Sequence, residues 1–187
     1  MRFDLTPPGA ASPPAPPWST RRWFNLPAGR DALALEELRG RVVVLHTFQM
    51  LCPGCVFHGL PQAQRIAQAF AGDDDVAVIG MHTVFEHHAA MTPVSLEAFL
   101  YEHRIRFPVG VDAASEAGAE RDPVPQTMRR YALQGTPSLV LIDRAGRLRR
   151  TGFGAEEDLG VGAAIATLLA EPKDDGATSA GTAGRGP

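Results

Sequence analysis

Apolar positions along the chain change their spacing several times, and each change marks an element. Val42–Phe48 reads VVVLHTF, a near-continuous apolar and β-branched run interrupted by His46, which predicts a central strand covered on both faces. From Val56 the spacing lengthens: Val56, Leu60, Ala63, Ala67 and Phe70 recur three or four residues apart, with Ile66 beside them, as in a helix with one buried face. Pro61 lies inside that helix and should kink it, because it removes one hydrogen bond and crowds the carbonyl four residues back. Asp73-Asp74-Asp75 makes a solvated turn, and Val76–Met81 predicts a second buried strand. The result is a βαβ unit, whose crossover should be right-handed.

Downstream, His82–Met91 is a polar loop, and Thr92-Pro93 signals a helix start with Leu96, Phe99, Leu100 and His103 on one face. A strand is predicted within Ile105–Val111. Asp112–Pro125 is then a loop of small and acidic residues, followed by a short helix around Gln126–Tyr131. Ser138–Ile142 is an apolar strand, and Asp143-Arg144-Ala145-Gly146 turns the chain into Arg147–Thr151, giving an antiparallel hairpin. Glu156, Glu157 and Asp158 suit the first turn of a last helix striped by Val161, Ile165, Leu168 and Leu169. At the other end, order should begin at the aromatic segment Arg22–Asn25, with Trp23 anchoring it to the core. Residues 1–20 carry Pro7, Pro8, Pro13, Pro14, Pro16 and Pro17, which predicts a flexible, extended arm. Residues 171–187 have Gly, Ala, Ser and charge without an apolar stripe and read as a disordered tail, leaving one domain over residues 21–170.

Composition narrows the function classes. A chain of 187 residues, 44% hydrophobic, suits one domain with a proper core. A net charge of −3 offers no basic footprint for nucleic acid or an anionic membrane. No early segment has the charged start, apolar core and small-residue cleavage site of a secretory signal, and no apolar run approaches the roughly 18 residues of a membrane span. The expectation is a cytoplasmic protein with neither nucleic acid nor membrane as partner. In a reducing compartment, a single Cys-x-x-Cys is more naturally catalytic than structural.

Both cysteines of the chain stand in Cys52-Pro53-Gly54-Cys55, between the first strand and its helix. That placement sets the sulfurs one helical turn apart, within bridging reach. With Cys52 as N-cap, Pro53 falls at the first helical position, where a missing N–H costs nothing. The N–H groups of Gly54 and Cys55 then face the Cys52 sulfur and, with the helix dipole, favour its thiolate. Cys52 is thus the expected attacking sulfur and Cys55 the resolving one. A zinc site would want four ligands, and no second Cys-x-x-Cys or spaced histidine pair accompanies the first. Two buried thiols packing as small apolar residues would not need the Pro-Gly insert at a helix start.

The order of elements, with Gly135-Thr136-Pro137 ahead of the hairpin, resembles the thioredoxin superfamily, and within it the TlpA-like or redoxin branch. The residues carrying the resemblance include Trp23, Asn25, Leu38-Arg39-Gly40-Arg41-Val42-Val43, the Cys-Pro-Gly-Cys stretch, Leu60-Pro61, Val78-Ile79-Gly80, Phe107-Pro108-Val109, Thr136-Pro137 and Leu141-Ile142-Asp143-Arg144-Ala145-Gly146. The resemblance spans about residues 22–170. It implies a thioredoxin-like α/β fold: a central mixed sheet flanked by helices on both faces, with the extra strand and helix that this branch inserts over Asp75–His103. It implies a cis Pro137 packed against the cysteines, which would leave the Thr136 backbone open to an extended substrate segment. Thioredoxin has a buried carboxylate where this chain has His46, which could relay a proton for Cys55 or simply bond a neighbouring carbonyl. His58 stands where the TlpA-like branch often has Glu, either near the sulfurs or exposed on the helix.

The function implied is a thiol–disulfide oxidoreductase that needs no organic cofactor or metal. It would act on disulfide-containing proteins or small thiols and exchange electrons with a separate donor. A thiol peroxidase of the related peroxiredoxin type is the alternative, but position 49 is Gln and position 45 Leu where that family has Thr or Ser and Pro. A Cys/His metal-binding protein is a third reading. His82, Glu86, His87 and His88 suggest it, although neighbouring histidines in a polar loop are more simply solvated, and His82 at a strand end is the better candidate for an active-site role.

Overall fold

A computed structural model of the chain describes residues 4–8 and 12–172. Its strands are β1 (Thr20–Phe24), β2 (Val42–Phe48), β3 (Val76–His82), β4 (Val109–Asp112), β5 (Ser138–Ile142) and β6 (Leu148–Phe153). They form one mixed sheet in the order β1-β4-β3-β2-β5-β6. Its α-helices are α1 (Leu60–Ala69), α2 (Pro93–Glu102), α3 (Gln126–Arg130) and α4 (Asp158–Ala170). β2 runs parallel to β3 and antiparallel to β5, and all its residues are buried, as the near-continuous apolar run predicts. The fold is thioredoxin-like.

The two faces of the sheet are covered differently. On one, Val42, Val44 and Phe48 pack against Leu60 and Ala63 of α1, Leu96 of α2, and Val161 and Ile165 of α4. On the other, Val43, Leu45 and Ile79 meet only short helical pieces: a 3-10 turn at Leu35–Leu38, and Met128 and Tyr131 in and after α3. Ala15 and Trp18 complete that second layer.

This explains a departure from expectation. Residues 12–19, part of the arm expected to be flexible, are laid down along the β5–β6 hairpin and over the second face. Their prolines lack N–H groups but keep carbonyls. Pro13 O accepts from Leu148 N–H at 2.9 Å, Pro16 O from the Tyr131 hydroxyl at 2.6 Å, and Pro17 O from Arg130 at 3.0 Å. Trp18 is buried, and its indole N–H donates to Leu33 O at 2.6 Å. Thr20 then enters β1, an edge strand antiparallel to β4, upstream of the aromatic segment at which order was expected to begin.

At the other terminus, Glu171 is not free of the domain. Its carboxylate accepts from the buried Arg149 guanidinium at 2.6 Å, which also reaches Asp143 at 3.1 Å. The expected tail from 173 onward lies outside the described residues.

At Pro61 the helix carries a local irregularity. The turn Cys55–Gly59 is π-helical, the Leu60 N–H donating to Cys55 O five residues back. Pro61, the second residue of α1, comes directly after that turn, within the helix that Pro53 opens. The wider turn absorbs the ring that an α-turn would have driven into a carbonyl.

Candidate active site

Cys52 and Cys55 sit where β2 ends and the helix begins, and Pro53 opens the helix as its spacing required. Cys55 N–H donates to Cys52 Sγ at 3.4 Å, the contact expected of an N-cap sulfur. From the opposite side, the Cys52 thiol donates to Thr136 O at 3.5 Å. Both cysteines are free thiols, Cys52 half-buried and Cys55 buried. Burial first, and the bond with Cys52 second, push the Cys55 thiol up to about 12. The two sulfurs are therefore unequal: one is reachable from solvent, the other is enclosed and held as a thiol at neutral pH.

The Thr136–Pro137 peptide bond is cis. Pro137 lies against the helix start, its Cδ 3.3 Å from where a side chain on Gly54 would begin. One turn further, a Cβ on Gly59 would stand 2.8 Å from Pro137 Cβ and 2.6 Å from the His46 ring. Glycine at 59 is what allows the helix, the imidazole and the proline to close on one another.

His46 occupies the floor of this arrangement. It is fully buried, and neither ring nitrogen has a hydrogen-bond partner, so the neighbouring-carbonyl bond that would have made it merely structural is absent. Burial lowers it from 6.5 to about 4, leaving a neutral base at physiological pH. His82 is equally enclosed; its Nε2 accepts from Met50 N–H at 3.4 Å, and burial lowers it to about 4 as well. His58 is exposed and makes no hydrogen bond to either sulfur. The π-turn takes more residues per revolution than an α-turn, so a position three beyond Cys55 is not returned to its face. Thr136, Pro137 and His46 are thus gathered around the cysteines, and His58 is not.

Gln49 is the residue that the motifs did not single out. Its side chain is buried, with Nε2 donating to Glu86 Oε1 at 3.3 Å and to Thr136 Oγ1 at 3.5 Å, and Oε1 accepting from Phe85 N–H at 3.2 Å. Its carbonyl accepts from Cys52 N–H at 3.1 Å. One amide therefore ties the cysteine loop, the Thr136 loop and the loop after β3 together. A long polar side chain in an apolar run just ahead of the cysteines was the available signal.

Three exposed apolar residues rim the site: Leu51 before Cys52, Phe57 on the π-turn, and Phe153, whose ring lies over Gly135. Among the described residues, no group of three or more His, Cys, Asp or Glu side chains converges as a metal cage would. Glu86 is engaged with Gln49, and His82 faces Met50 rather than His87 or His88.

Solved structures supply the comparison. A thioredoxin-like superfamily protein is 54% identical over 87% of this chain and 99% of its own, with a TM-score of 0.79. A thiol-disulfide isomerase from Corynebacterium glutamicum is 45% identical over 84% of this chain and 98% of its own, with a TM-score of 0.75. StoA from Bacillus subtilis shares the fold at 21% identity and a TM-score of 0.55, over 74% of this chain and 92% of its own. No protein-family model and no curated protein matches the chain.

Proposed function

Since the chain belongs to the thioredoxin-like superfamily, as a thiol–disulfide oxidoreductase, we propose that Cys52 and Cys55 are its redox pair and that disulfides of other proteins are its substrates. The observation that carries this reading is the asymmetry of the sulfurs: Cys52 half-buried between the Cys55 N–H and the Thr136 carbonyl, and Cys55 enclosed behind it. Cys52, as thiolate, attacks one sulfur of a substrate disulfide; the S–S bond breaks, and the departing sulfur leaves as thiolate and takes a proton. Cys55 then loses its proton and attacks Cys52 Sγ, displacing the second substrate thiolate. The substrate gains two electrons and two protons, and the protein is left with a Cys52–Cys55 disulfide. An external thiol donor restores the dithiol by the reverse exchange.

Other features fit this chemistry. The buried neutral His46 keeps unpartnered ring nitrogens on the inner side of the site, and because burial lowers it to about 4 it serves there as a neutral hydrogen-bonding group. The apolar rim of Leu51, Phe57 and Phe153 suits a polypeptide side of the substrate better than a small polar thiol. A peroxidase needs hydrogen-bond donors poised on the peroxide at the reactive cysteine, and the Gln49 amide at that sequence position is already committed to Glu86 and Thr136.

Single-turnover oxidation of the fully reduced protein tests the assignment, comparing a disulfide-bonded protein with hydrogen peroxide and reading cysteine redox state. The expected result is rapid oxidation by the protein disulfide, with peroxide no faster than with an ordinary thiolate. Peroxide faster by orders of magnitude would overturn it. In the same assay Cys55→Ser should trap a mixed disulfide through Cys52, whereas trapping only through Cys55 in Cys52→Ser would reverse the roles.

A further inference from the structure

The best-formed unused feature lies at the end of the sheet away from Cys52. β3 pairs along its whole length with β2, from Val76 opposite Val42 to His82 opposite Phe48, but with β4 only from Gly80 onward. Pro108, brought opposite this edge by the fold, stops the ladder. Gly80 N–H donates to Pro108 O at 2.8 Å. Two residues back, the same edge presents Val78, whose carbonyl falls opposite position 108, and Pro108 has no N–H to offer it. The preceding chain is held on another course by Asn25, whose side-chain amide donates to Ile105 O at 2.9 Å and Phe107 O at 3.1 Å.

The Val78 main chain therefore faces a groove of about 660 Å³ instead of a strand, a size typical of ligand sites. Leu26, Leu33, Phe70 and Phe107 give it apolar walls, and Arg30, Glu37, Arg41 and the exposed Arg106 line it as well. Arg104 lines an adjoining hollow that shares Arg106 and Phe107. Arg30 is occupied by Glu37, and Arg41 reaches the exposed Asp74 at 3.6 Å. Among the described residues, no carboxylate pairs with Arg104 or Arg106.

We propose that this groove binds a short extended segment of a partner protein, which adds as a strand to the open edge of β3 and places acidic side chains on Arg104 and Arg106. Unpaired N–H and C=O groups on a strand edge are what an extended main chain recognises, and the apolar walls take its alternate side chains. The guanidiniums select an acidic sequence, because they prefer carboxylate partners and repel basic ones. The edge runs from Val76, whose N–H already donates to Asp73 O at 3.3 Å, to Ile79 and is about 13 Å long, room for a three- or four-residue strand. The groove is at the N-terminal end of β3 and the cysteines beyond the C-terminal end of β2, so an occupied groove leaves Cys52 accessible.

The test uses the reduced full-length protein, ¹⁵N-labelled. The probes are an acetylated, amidated peptide of alternating Val and Thr flanked by Glu, the same core flanked by Lys, the Glu peptide N-methylated at alternate residues, and decanoate. The expected result is saturable shifts of the Val76–Ile79 amides with the Glu peptide, none with the Lys or N-methylated peptides, and about tenfold weaker binding in Arg104→Glu/Arg106→Glu. That variant should keep wild-type disulfide exchange, which shows that it is folded. Shifts confined to Cys52, Cys55 and Thr136, equal binding of the Lys peptide, or no saturable shift would overturn the proposal. So would decanoate moving the β3 edge where the peptide does not, since the groove would then be a small-anion pocket.

Discussion

Lowering the pH from 7.5 to 5 should destabilise this protein steeply, because two of its histidines are folded into places that refuse a proton. His46 and His82 are 2% and 1% exposed, and burial lowers each from 6.5 to about 4. In the unfolded chain both accept a proton near pH 6.5. Between pH 6.5 and 4 the unfolded state therefore binds protons that the native state does not. The stability that depends on neutral histidines is complete above pH 6.5 and is lost as the pH falls toward 4. Near pH 5.5 each histidine contributes a slope of about 1 kcal/mol per pH unit, so the pair gives about 2. Across the whole window each is worth on the order of 3 kcal/mol, against a total of roughly 5–15 kcal/mol for a domain. Carboxylates do not mimic the effect. Glu37 and Asp158 are lowered by their hydrogen bonds and lose stability only in more acid solution, and Asp112, raised by burial, acts in the opposite sense. Guanidinium unfolding of the reduced protein at pH 7.5, 6.5, 5.5 and 5.0, followed by tryptophan fluorescence, measures the slope. His46→Phe keeps a flat ring and removes one titration, and it should roughly halve the slope. Wild-type stability that is flat from pH 7 to 5, or an undiminished slope in His46→Phe, would refute the reasoning.

Two further substitutions test the packing that builds the site and its support. Gly59→Ala should cost about 1–3 kcal/mol although alanine ordinarily favours a helix, because its methyl meets the His46 ring at 2.6 Å and Pro137 Cβ at 2.8 Å. Adding His46→Ala should recover part of that cost in a double-mutant cycle, and additive effects would show that the two residues do not meet. Trp18→Ala should cost about 3 kcal/mol in chemical unfolding, through the lost ring and its bond to Leu33 O. A cost near zero would mean that the proline-rich segment does not cover the sheet.

The site was legible in the sequence to the extent that its chemistry is local. Cys52 as N-cap, Pro53 as first helical residue and Cys55 one turn on are consequences of four adjacent residues, and the contact of Cys55 N–H with Cys52 Sγ follows from them. Gln49 was harder to read because its amide is satisfied by Glu86 and Thr136, which lie 37 and 87 residues away. Of the two places the sequence left open for His58, near the sulfurs or exposed on the helix, the fold takes the exposed one, on a turn that the π geometry before Pro61 re-aims.

By itself the sequence determined the elements with a plain apolar run or a clear start signal: β2 over Val42–Phe48, β5 over Ser138–Ile142, and α2, with Thr92 accepting from Ser95 N–H at its start. These elements follow from apolar runs, propensity and capping, which act over a few residues. Tertiary structure alone decided the rest. The segment before Thr20 is ordered because one face of the sheet has no long helix, so that Ala15 and Trp18 gain burial there that a proline-rich chain would not find in water. Likewise β4 starts late and leaves an open edge on β3, because Pro108 cannot donate and Asn25 claims the carbonyls before it. In both places the deciding partner is distant in sequence, and only the folded sheet brings the two together.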